Sequence, residues 1–520
     1  MQNNSYVYNL GLLFDRISKK FDERIAVVTK NEDFDYNYVN KLSNKIAHYI
    51  LSLKIKQNDT IAILNDKSVE AYSIMIACLK IGVTYTNLDP ESPRERFIKM
   101  TETSNAKILF HYDSSLPTTR FGKDIANVSL VDYRKLNGQN ELDDFSESLP
   151  DETKYIHSNS CAYIMFTSGS TGFPKGVAIS HQNVLNFIKW SETTYETAKT
   201  DVFTNINPMH FDNSVFDFYS SLFTGASIIS VSQNLTINPR RLLDYLNSKN
   251  PTIWFSVPSM LVYVLNMRAL KEKDLMTLRI VTFGGEGFPK NQLKKLWSFW
   301  GSRVKFINVY GPTECTCICS SYVVKPTDIE NDELLPLGFM APNFYGKVLN
   351  KNLEEVRDGD IGELYIGGPN VGIGYFNNQT KTNEIFILNP INNSLKEVIY
   401  KSGDLVKKNV DNEMFYFCGR QDNQIKRMGY RIELEEIENA LNSIDFIEES
   451  AVVYIDNKKY KSKIFAYLRT ANKDQDHVKV ELLNYLPAYM MPDDYFYLEN
   501  LPKNQNGKIN RLKLKENFDI

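Results

Sequence analysis

A chain of 520 residues that is 42% hydrophobic and 24% charged has the composition of a large folded protein, and it exceeds the length that one hydrophobic core usually supports. Its formal net charge of −3 provides no general positive field for nucleic acid, and its six cysteines lack the paired spacing of a disulfide framework. The N-terminus lacks the apolar core of a signal peptide, and the longest apolar stretch, 71–83, is too short to span a bilayer. We therefore expect at least two domains, a cytoplasmic location, and no nucleic-acid or membrane partner.

Helical and strand patterns alternate along the first part of the chain, which favours α/β layering with parallel sheets. The predicted elements follow in the order helix 10–21, strand 25–29, helix 39–53, strand 60–64, helix 69–81 and strand 83–90. A polar stretch, 143–160, is interpreted as a connection within a domain.

Three cysteines alternate with other residues at Cys315, Cys317 and Cys319, so their side chains would share one face if this segment is a strand. No histidine accompanies them, which argues against a metal site. We expect small buried side chains lining a strand.

A loop rich in glycine and hydroxyl groups, Thr167-Ser-Gly-Ser-Thr-Gly-Phe-Pro-Lys-Gly176, directly follows the apolar run 162–166. Glycines let a backbone approach an anion, hydroxyl and N–H groups donate hydrogen bonds to it, and Lys175 supplies positive charge. The loop is not a Walker A motif, because Pro174 and Gly176 replace its second glycine and its magnesium-binding Ser or Thr. A surface turn is the alternative, but this composition predicts a phosphate-binding loop.

Three later segments carry polar groups where a ligand could bind. Asp212 stands before a predicted helix, 214–222, where it needs a cationic partner or else caps the helix. The predicted strand from Ile280 runs into a Gly-Gly turn with Glu286 at its tip, the usual end of a strand for a ligand in α/β sheets. Residues 308–314 repeat this arrangement, with a tyrosine that can stack on a base, a threonine that can bind phosphate and a glutamate that can hold magnesium.

With these motifs the chain resembles the adenylate-forming superfamily, which contains acyl-CoA synthetases, firefly luciferase and the adenylation domains of nonribosomal peptide synthetases. The matching segments cover nearly the whole chain in the order of the family. They are Leu79-Lys-Ile-Gly82, Leu88-Asp-Pro90, the phosphate loop, 211–215, 283–286, 308–314, Gly362-Glu-Leu-Tyr-Ile-Gly-Gly368, Tyr400-Lys-Ser-Gly-Asp404, Gly419-Arg-Gln-Asp-Asn-Gln-Ile-Lys426, Gly429-Tyr-Arg-Ile-Glu433 and Pro502-Lys-Asn-Gln-Asn-Gly-Lys508.

The resemblance implies that a carboxylate attacks the α-phosphate of ATP to give an acyl-adenylate, which a thiol then takes. Tyr310 would stack on adenine, Asp404 would accept from the ribose hydroxyls, and Arg420 would support ribose and phosphate. Glu314 would hold Mg²⁺, and Lys508 would bridge the substrate carboxylate and the α-phosphate. With Thr167, these last two residues are the predicted catalytic groups. The predicted ATP contacts are Thr167, Ser168, Gly169, Ser170, Thr171, Lys175, Gly285, Glu286, Asn308, Val309, Tyr310, Gly311, Pro312, Thr313, Asp404, Phe417, Arg420 and Lys508.

The same comparison implies an α/β fold with two domains. Residues 1–420 would form a large α/β part built of subdomains, and 421–520 a small mobile α+β lid that carries Lys508. Asp422 would be the hinge. After adenylation the lid would rotate so that Lys426 and Gly429 line a tunnel for the thiol.

Asp212 decides the predicted substrate class, because amino-acid-activating members of the family use this aspartate to hold the α-ammonium group. The other predicted substrate contacts are Asn213, Phe216, Phe255, Val281, Phe283, Gly284, Val309, Cys317, Ile318 and Lys508. Three phenylalanines among them favour a small amino acid such as alanine, serine or glycine.

The predicted acceptor is the phosphopantetheine thiol of a separate carrier protein, since no carrier motif follows Lys508 in the sequence. This arrangement is similar to the D-alanine–carrier protein ligases, with D-alanine as a candidate substrate. Those enzymes have a cysteine where this chain has Gly284, which leaves the preferred hand of the amino acid open. An acyl-CoA synthetase is the main alternative. A non-catalytic nucleotide-binding regulator is disfavoured, because Lys508 and Glu314 are both present.

Overall fold

The structure is a computed structural model of the chain. It describes residues 6–113, 125, 128–138, 141–169, 173–331, 333–342, 344–392, 394, 396–456, 462–503 and 509–518. Within these ranges, no helix has the length and apolar character needed to cross a membrane.

The α-helices alternate with strands along much of the chain. They are α1 (Leu10–Lys20), α2 (Tyr36–Ser52), α3 (Val69–Ile81), α4 (Arg94–Ser104), α5 (Tyr133–Gly138), α6 (His181–Thr194), α7 (Asn213–Leu222), α8 (Gln233–Thr236), α9 (Pro239–Lys249), α10 (Pro258–Asn266), α11 (Lys290–Trp300), α12 (Gln379–Ile385), α13 (Leu434–Asn442), α14 (Gln475–Leu482) and α15 (Arg511–Lys515).

The strands form several separate sheets. They are β1 (Ile25–Val28), β2 (Asp33–Asp35), β3 (Thr60–Leu64), β4 (Thr84–Leu88), β5 (Ala106–His111), β6 (Ser129–Asp132), β7 (Cys161–Thr167), β8 (Lys175–Ser180), β9 (Val202–Asn205), β10 (Ser227–Ser230), β11 (Ile253–Ser256), β12 (Ile280–Gly284), β13 (Lys305–Tyr310), β14 (Ser320–Val323), β15 (Phe339–Met340), β16 (Tyr345–Leu349), β17 (Ile361–Gly367), β18 (Gly374–Tyr375), β19 (Phe386–Leu388), β20 (Val398–Lys408), β21 (Phe415–Arg420), β22 (Gln424–Arg427), β23 (Tyr430–Glu433), β24 (Ile447–Ile455), β25 (Lys463–Thr470) and β26 (Asp494–Tyr497).

Two large sheets share one hydrophobic core. The first has the order β15-β14-β13-β12-β11-β9-β10-β1-β2, and its strands from β13 to β1 are parallel. The second has the order β18-β8-β7-β4-β3-β5-β6, with β7, β4, β3, β5 and β6 parallel. The shared core contains Tyr163 and Ile61 from the second sheet, Phe203 from the first, and Phe218 from α7. The predicted α/β class is therefore confirmed, and the carboxyl ends of β7, β12 and β13 can converge on one site.

The chain leaves the large part of the molecule after β21. That strand pairs with β20 in a five-stranded antiparallel sheet made of β16, β17, β19, β20 and β21. Beyond it, β22 and β23 form a hairpin, and β24, β25 and β26 form a sheet with its own core, which includes Ile437, Val452 and Leu468. A smaller C-terminal unit with mixed α and β elements is thus present, as the resemblance implies.

Local sequence signals place several elements where they are expected. The strand 60–64 and the helix 69–81 have the predicted bounds. Ser68 caps the start of α3 by accepting from the N–H of Ala71, and Gly82 ends the helix with φ 68°. Since left-handed backbone favours glycine, this residue is a natural helix stop.

Lys80 is a fully buried cation on α3 that ties this helix to α2. Its ammonium group donates to the side chains of Asn40, Ser43 and Asn44 at 2.7, 2.8 and 2.6 Å. Burial lowers the pKa of Lys80 to about 7. The hydrogen bonds to α2 compensate in part for the burial of the ammonium group.

We predict that Lys80→Met destabilises the large domain, because it removes the ammonium group that donates to all three acceptors while it keeps the length of the side chain. The midpoint of thermal unfolding should fall by about 5 °C or more. Lys19→Met is the matched control, since Lys19 is 66% exposed and pairs with Asp15 on the surface, and it should shift the midpoint by about 1 °C or less. Equal shifts in the two variants would contradict this role for Lys80.

Candidate functional site

A cavity of about 90 Å³ lies where the two large sheets meet the C-terminal hairpin. The carboxyl ends of β7, β12 and β13 contribute Thr167, Gly284 and Tyr310, and the hairpin contributes Lys426 and Arg431. The fold thereby brings together segments that lie more than 250 residues apart in the sequence.

The phosphate loop retains unused hydrogen-bonding capacity. The buried hydroxyl of Thr167 has no hydrogen-bond partner among the described residues. The hydroxyl of Ser168 donates to the carbonyl of Arg431 at 2.8 Å, and the N–H of Gly169 donates to Glu436 Oε2 at 3.0 Å. Ser170 and Thr171, which are predicted to bind ATP, lie outside the described residues.

Lys175 is held at the base of this loop, on β8. Its side chain is 9% exposed, with Nζ 3.7 Å from Glu433 Oε1 and 5.3 Å from the centre of the Tyr375 ring. Burial, together with the nearby Arg431, lowers the pKa of Lys175. A buried ammonium group near the unpaired hydroxyl of Thr167 is suited to a polyanion.

Glu314 lies in the turn after β13 and is completely buried. Tyr375 donates to its Oε1 at 2.8 Å, and Arg431 Nη1 lies 3.0 Å from Oε1 and 2.8 Å from Oε2. Burial alone would raise the pKa of Glu314, but Arg431 and Lys175 outweigh it and hold the pKa at about 2. The carboxylate is therefore ionised, and both of its oxygens accept hydrogen bonds.

The described part of the chain contains no group of three or more His, Cys, Asp or Glu side chains suited to a metal. Mg²⁺ commonly uses only one or two carboxylates together with substrate phosphates. Glu314 thus fits a magnesium ion that arrives with a nucleotide.

Asp404, on β20, accepts from two residues that are predicted to contact the nucleotide. Tyr310 donates its hydroxyl to Asp404 Oδ2 at 2.5 Å, and Arg420 donates to Oδ1 at 2.5 Å. Arg420 also binds both oxygens of Asp422, at 2.6 and 2.8 Å. Tyr310, Asp404 and Arg420 all line the cavity, whereas Phe417 is 40% exposed and does not.

Asp212 stands at the N-terminal end of α7 without capping it. Its side chain makes no bond to the helix backbone, and Oδ2 instead accepts from the hydroxyl of Thr313 at 2.5 Å. Burial raises its pKa. The capping alternative is therefore wrong. No lysine, arginine or histidine of the described chain forms an ion pair with Asp212, although Lys426 and Arg431 are near enough to favour its charged form.

The structure corrects three of the predicted pocket positions. Val281 and Phe283 lie in a second core with Trp254 and Phe306, on the far face of β12, because side chains alternate along a strand. Phe216 is fully buried behind Phe255, with ring centres 5.2 Å apart. The predicted residues that do line the cavity are Asp212, Asn213, Phe255, Gly284, Val309, Cys317 and Ile318.

The strand predicted through the three cysteines is also wrong. Thr313–Cys315 form a 3₁₀ turn, Thr316 and Cys317 have φ values of 58° and 75°, and β14 begins only at Ser320. All three cysteines are buried, and Cys317 lines the cavity. Alternation alone cannot distinguish such a turn from a strand.

The remaining predicted ATP contacts divide into two groups. Gly285, Val309, Gly311, Pro312 and Thr313 line the cavity. Asn308 and Glu286 do not: the Asn308 amide donates to the carbonyl of Pro336 at 2.8 Å, and Glu286 accepts from the N–H groups of Ser259 and Gly429 at 2.9 and 3.0 Å.

The predicted tunnel residues come from the C-terminal hairpin. Lys426 Nζ lies 5.4 Å from the centre of the Tyr310 ring. Gly429 has φ 79°, and a Cβ there would approach Val257 Cγ1 to 2.3 Å, so only glycine permits this contact. Lys508 lies outside the described residues.

Sequence reasoning assigned no role to several residues of the site. Arg431, Glu433 and Glu436 reach into it from the C-terminal unit, and Arg96 pairs with Glu436. A signal was present, since Gly429-Tyr-Arg-Ile-Glu433 is one of the family motifs, but only tertiary structure reveals the partners.

We predict that Gly284→Ala disturbs the packing of β12 on β13, because a Cβ at this position would lie 2.4 Å from the carbonyl oxygen of Val309. The midpoint of thermal unfolding should fall by about 5 °C. Gly138→Ala is the control, because a Cβ there meets no atom within 4 Å. An unchanged midpoint in Gly284→Ala would show that the two strands separate at little cost.

The sequence profile of the AMP-binding enzyme family matches residues 14–376, and that of the AMP-binding enzyme C-terminal domain matches residues 436–508. An L-proline–[L-prolyl-carrier protein] ligase of Pseudomonas fluorescens is 32% identical over 501 residues, which cover 95% of this chain and 96% of the relative. A D-alanine–D-alanyl carrier protein ligase of Bacillus licheniformis is 31% identical, with 96% and 97% covered.

A much longer relative shows the same level of similarity. Gramicidin S synthase 2 of Brevibacillus brevis is 31% identical over 97% of this chain, which spans only 11% of the length of that protein. Among solved structures, the Vibrio cholerae adenylation domain AlmE, in complex with glycyl-adenosine-5'-phosphate, has a TM-score of 0.81 at 22% identity and covers all of this chain. The profile matches confirm the resemblance that the motifs indicate: the chain belongs to the AMP-binding enzyme family.

Proposed function

We propose that this protein activates an amino acid with ATP and transfers the aminoacyl group to the phosphopantetheine thiol of a separate carrier protein. The observation that carries this proposal is Asp212, a carboxylate that lines the cavity and lacks a cationic partner among the described residues. An α-ammonium group would supply that partner. The relatives named as ligases for L-prolyl and D-alanyl carrier proteins support the same reaction class.

The buried carboxylate of Asp212 would disfavour the binding of a substrate that has no positive charge. Burial already raises its pKa, and an uncharged ligand would seal the carboxylate further from water. An ammonium group instead compensates the loss of hydration with an ion pair and hydrogen bonds. The acyl-CoA synthetase alternative, with a non-amino carboxylic acid, leaves this charge unexplained.

The nucleotide side of the cavity would offer ATP one unpaired donor, the hydroxyl of Thr167, and two donors that now contact lid carboxylates. The buried hydroxyl of Thr167, the N–H of Gly169 and the ammonium group of Lys175 converge where phosphates would bind. Asp404 would exchange its bond with Tyr310 for ribose hydroxyls, and Glu314 would hold the magnesium ion that neutralises phosphate charge.

The chemistry needs charge neutralisation more than proton transfer. The substrate carboxylate attacks the α-phosphorus, an acyl–phosphate bond forms, and pyrophosphate leaves with the electrons of the broken bond. The thiol then attacks the acyl carbon and AMP leaves. Lys175 and, by resemblance, Lys508 lower the repulsion between the anions in the first step.

The pocket favours a small side chain. Phe255, backed by Phe216, and Cys317 line the same cavity as Asp212 and occupy space beside it. The similar identities to ligases for L-proline and D-alanine do not distinguish between these substrates. D-alanine ligases have a cysteine at the position of Gly284. A Cβ at this position would lie 2.4 Å from the Val309 carbonyl oxygen, so a cysteine would need a different backbone position at this point of the chain.

We predict amino-acid-dependent ATP–pyrophosphate exchange with one small amino acid in a panel of D- and L-amino acids, with fatty and aryl acids as controls. Asp212→Asn should lower kcat/KM about a hundredfold or more, because the amide cannot neutralise the ammonium group. Asp411→Asn, in an exposed turn, should leave kcat/KM unchanged. Exchange with non-amino acids alone would contradict the proposal and favour acyl-CoA synthesis.

We also predict that Lys508→Ala abolishes the exchange reaction but has less effect on ATP binding and on thiol transfer from preformed aminoacyl-adenylate. The reason is that this lysine would act on the α-phosphate only while the acyl–phosphate bond forms. Lys503→Ala, with an exposed lysine paired to Glu449, is the control. Near-normal exchange in Lys508→Ala would refute the role of this lysine.

A further inference from the structure

A buried carboxylate, Glu363 on β17, lies behind the cavity, and the proposed reaction assigns it no part. Its side chain is 5% exposed, and it is not one of the residues that line the cavity. Burial raises the pKa of this carboxyl group, and the nearby ammonium group of Lys401 opposes that shift. Because the burial of a carboxylate is costly, the contacts of Glu363 should show what it stabilises.

The pairing of β17 with β20 is irregular next to Glu363. Between Glu363 and Tyr365, two steps along β17 match four steps along β20. Residues 402–404 therefore lie opposite the single residue Leu364 and form a bulge. The bulge ends at Asp404, the residue that is predicted to accept from the ribose hydroxyls. Bulges occur next to active sites, where they change the direction of a side chain.

Two side chains bind the backbone groups that the bulge removes from regular pairing. Glu363 Oε1 accepts from the N–H of Gly403 at 3.0 Å. The hydroxyl of Ser402 donates to the carbonyl of Leu364 at 2.6 Å and accepts from the N–H of Asp404 at 3.1 Å. Glu363 thus holds, from the neighbouring strand, the backbone directly before Asp404.

Glu363 is itself held in one orientation. Its Oε2 accepts from the hydroxyl of Tyr365 at 3.1 Å and lies 3.9 Å from Lys401 Nζ. These contacts leave Oε1 for the N–H of Gly403. A hydrogen bond from an N–H group to a carboxylate is stronger than one to a neutral acceptor, so this contact can fix the backbone of the bulge.

The bulge determines where the carboxylate of Asp404 lies. Gly403 has φ 73°, which favours glycine, and a Cβ there would lie 2.6 Å from Arg420 Nη2. Arg420 donates to the carbonyl of Ser402 at 3.2 Å and to Asp404 Oδ1 at 2.5 Å. The other oxygen of Asp404 accepts from Tyr310 at 2.5 Å. The bulge backbone and Arg420 therefore set the direction of this carboxylate together.

We propose that Glu363 is a positioning residue for recognition of the ribose: it holds the N–H of Gly403 and so fixes the bulge that presents Asp404 to the ribose hydroxyls of ATP. Glu363 would not touch the nucleotide, so its effect should appear only where Asp404 makes contact. The inference rests on the proposed function, because that function assigns ATP to the cavity and its ribose to Asp404.

The test is the preference for ATP over 2′,3′-dideoxy-ATP, which lacks both ribose hydroxyls. It is measured by calorimetry, with magnesium and without amino acid, as the ratio of the two dissociation constants. Glu363→Ala removes the acceptor, so the preference should fall about tenfold through weaker binding of ATP, with little change for the dideoxy nucleotide. Glu363→Gln keeps an oxygen that can accept from Gly403 and should retain most of the preference.

Glu355→Ala is the matched control. Glu355 is a carboxylate that pairs with Lys347 of the same sheet at 2.9 Å, but it is 46% exposed. Its loss should leave the preference equal to that of the unmodified protein. Circular dichroism and the thermal midpoint establish that each variant is folded before binding is compared.

A double variant separates an effect through Asp404 from an independent one. Asp404→Ala should remove the preference, and Glu363→Ala added to it should cause no further loss. A preference that is unchanged in Glu363→Ala, equal weakening of both nucleotides, or a further loss in the double variant would overturn this inference alone.

Two outcomes in the unmodified protein reach further. Equal binding of both nucleotides would overturn the ribose role of Asp404 together with this inference, while amino-acid-dependent exchange would still support the proposed reaction. Failure to bind either nucleotide would overturn the proposed function as well.

Discussion

The site depends on one buried carboxylate, Glu314, which joins three parts of the molecule. It follows β13 of the first sheet, accepts from Tyr375 at the edge of the second sheet, and binds Arg431 of the C-terminal hairpin. Its backbone carbonyl also accepts from the N–H of Gly372 at 2.8 Å. Because a fully buried carboxylate is stable only with partners, these contacts constrain the relative position of both sheets and the lid.

The two large sheets that surround Glu314 are held together by packing. Side chains from both sheets share one core, so the carboxyl ends of β7, β12 and β13 lie in fixed relation to one another. Glycine stands at two positions of close approach, Gly284 beside the Val309 backbone and Gly429 beside the Val257 side chain. The two packed sheets therefore form one side of the cavity, and the C-terminal hairpin forms the other side.

The polar and charged groups of the site fall into two classes, according to whether they already have a partner. Asp212 and the hydroxyl of Thr167 are without the partners that a substrate and a nucleotide would supply. Glu314, Lys175 and the Gly169 N–H already have partners from the lid. In the proposed reaction the first class would gain partners when ligands bind, whereas the second would exchange its lid partners for the ligand.

The sequence by itself determined the family, the α/β class and the strand and helix bounds of segments such as 60–64 and 69–81, because local periodicity and capping residues act over a few positions. It also indicated the phosphate loop, Asp212 and Glu314 by residue type and motif. Only the tertiary structure decided that Val281 and Phe283 face a different core, that the three-cysteine segment turns rather than extends, and that Arg431 meets Glu314. Those outcomes depend on which sheet face is covered and on contacts across more than a hundred residues, which no local pattern in the chain encodes.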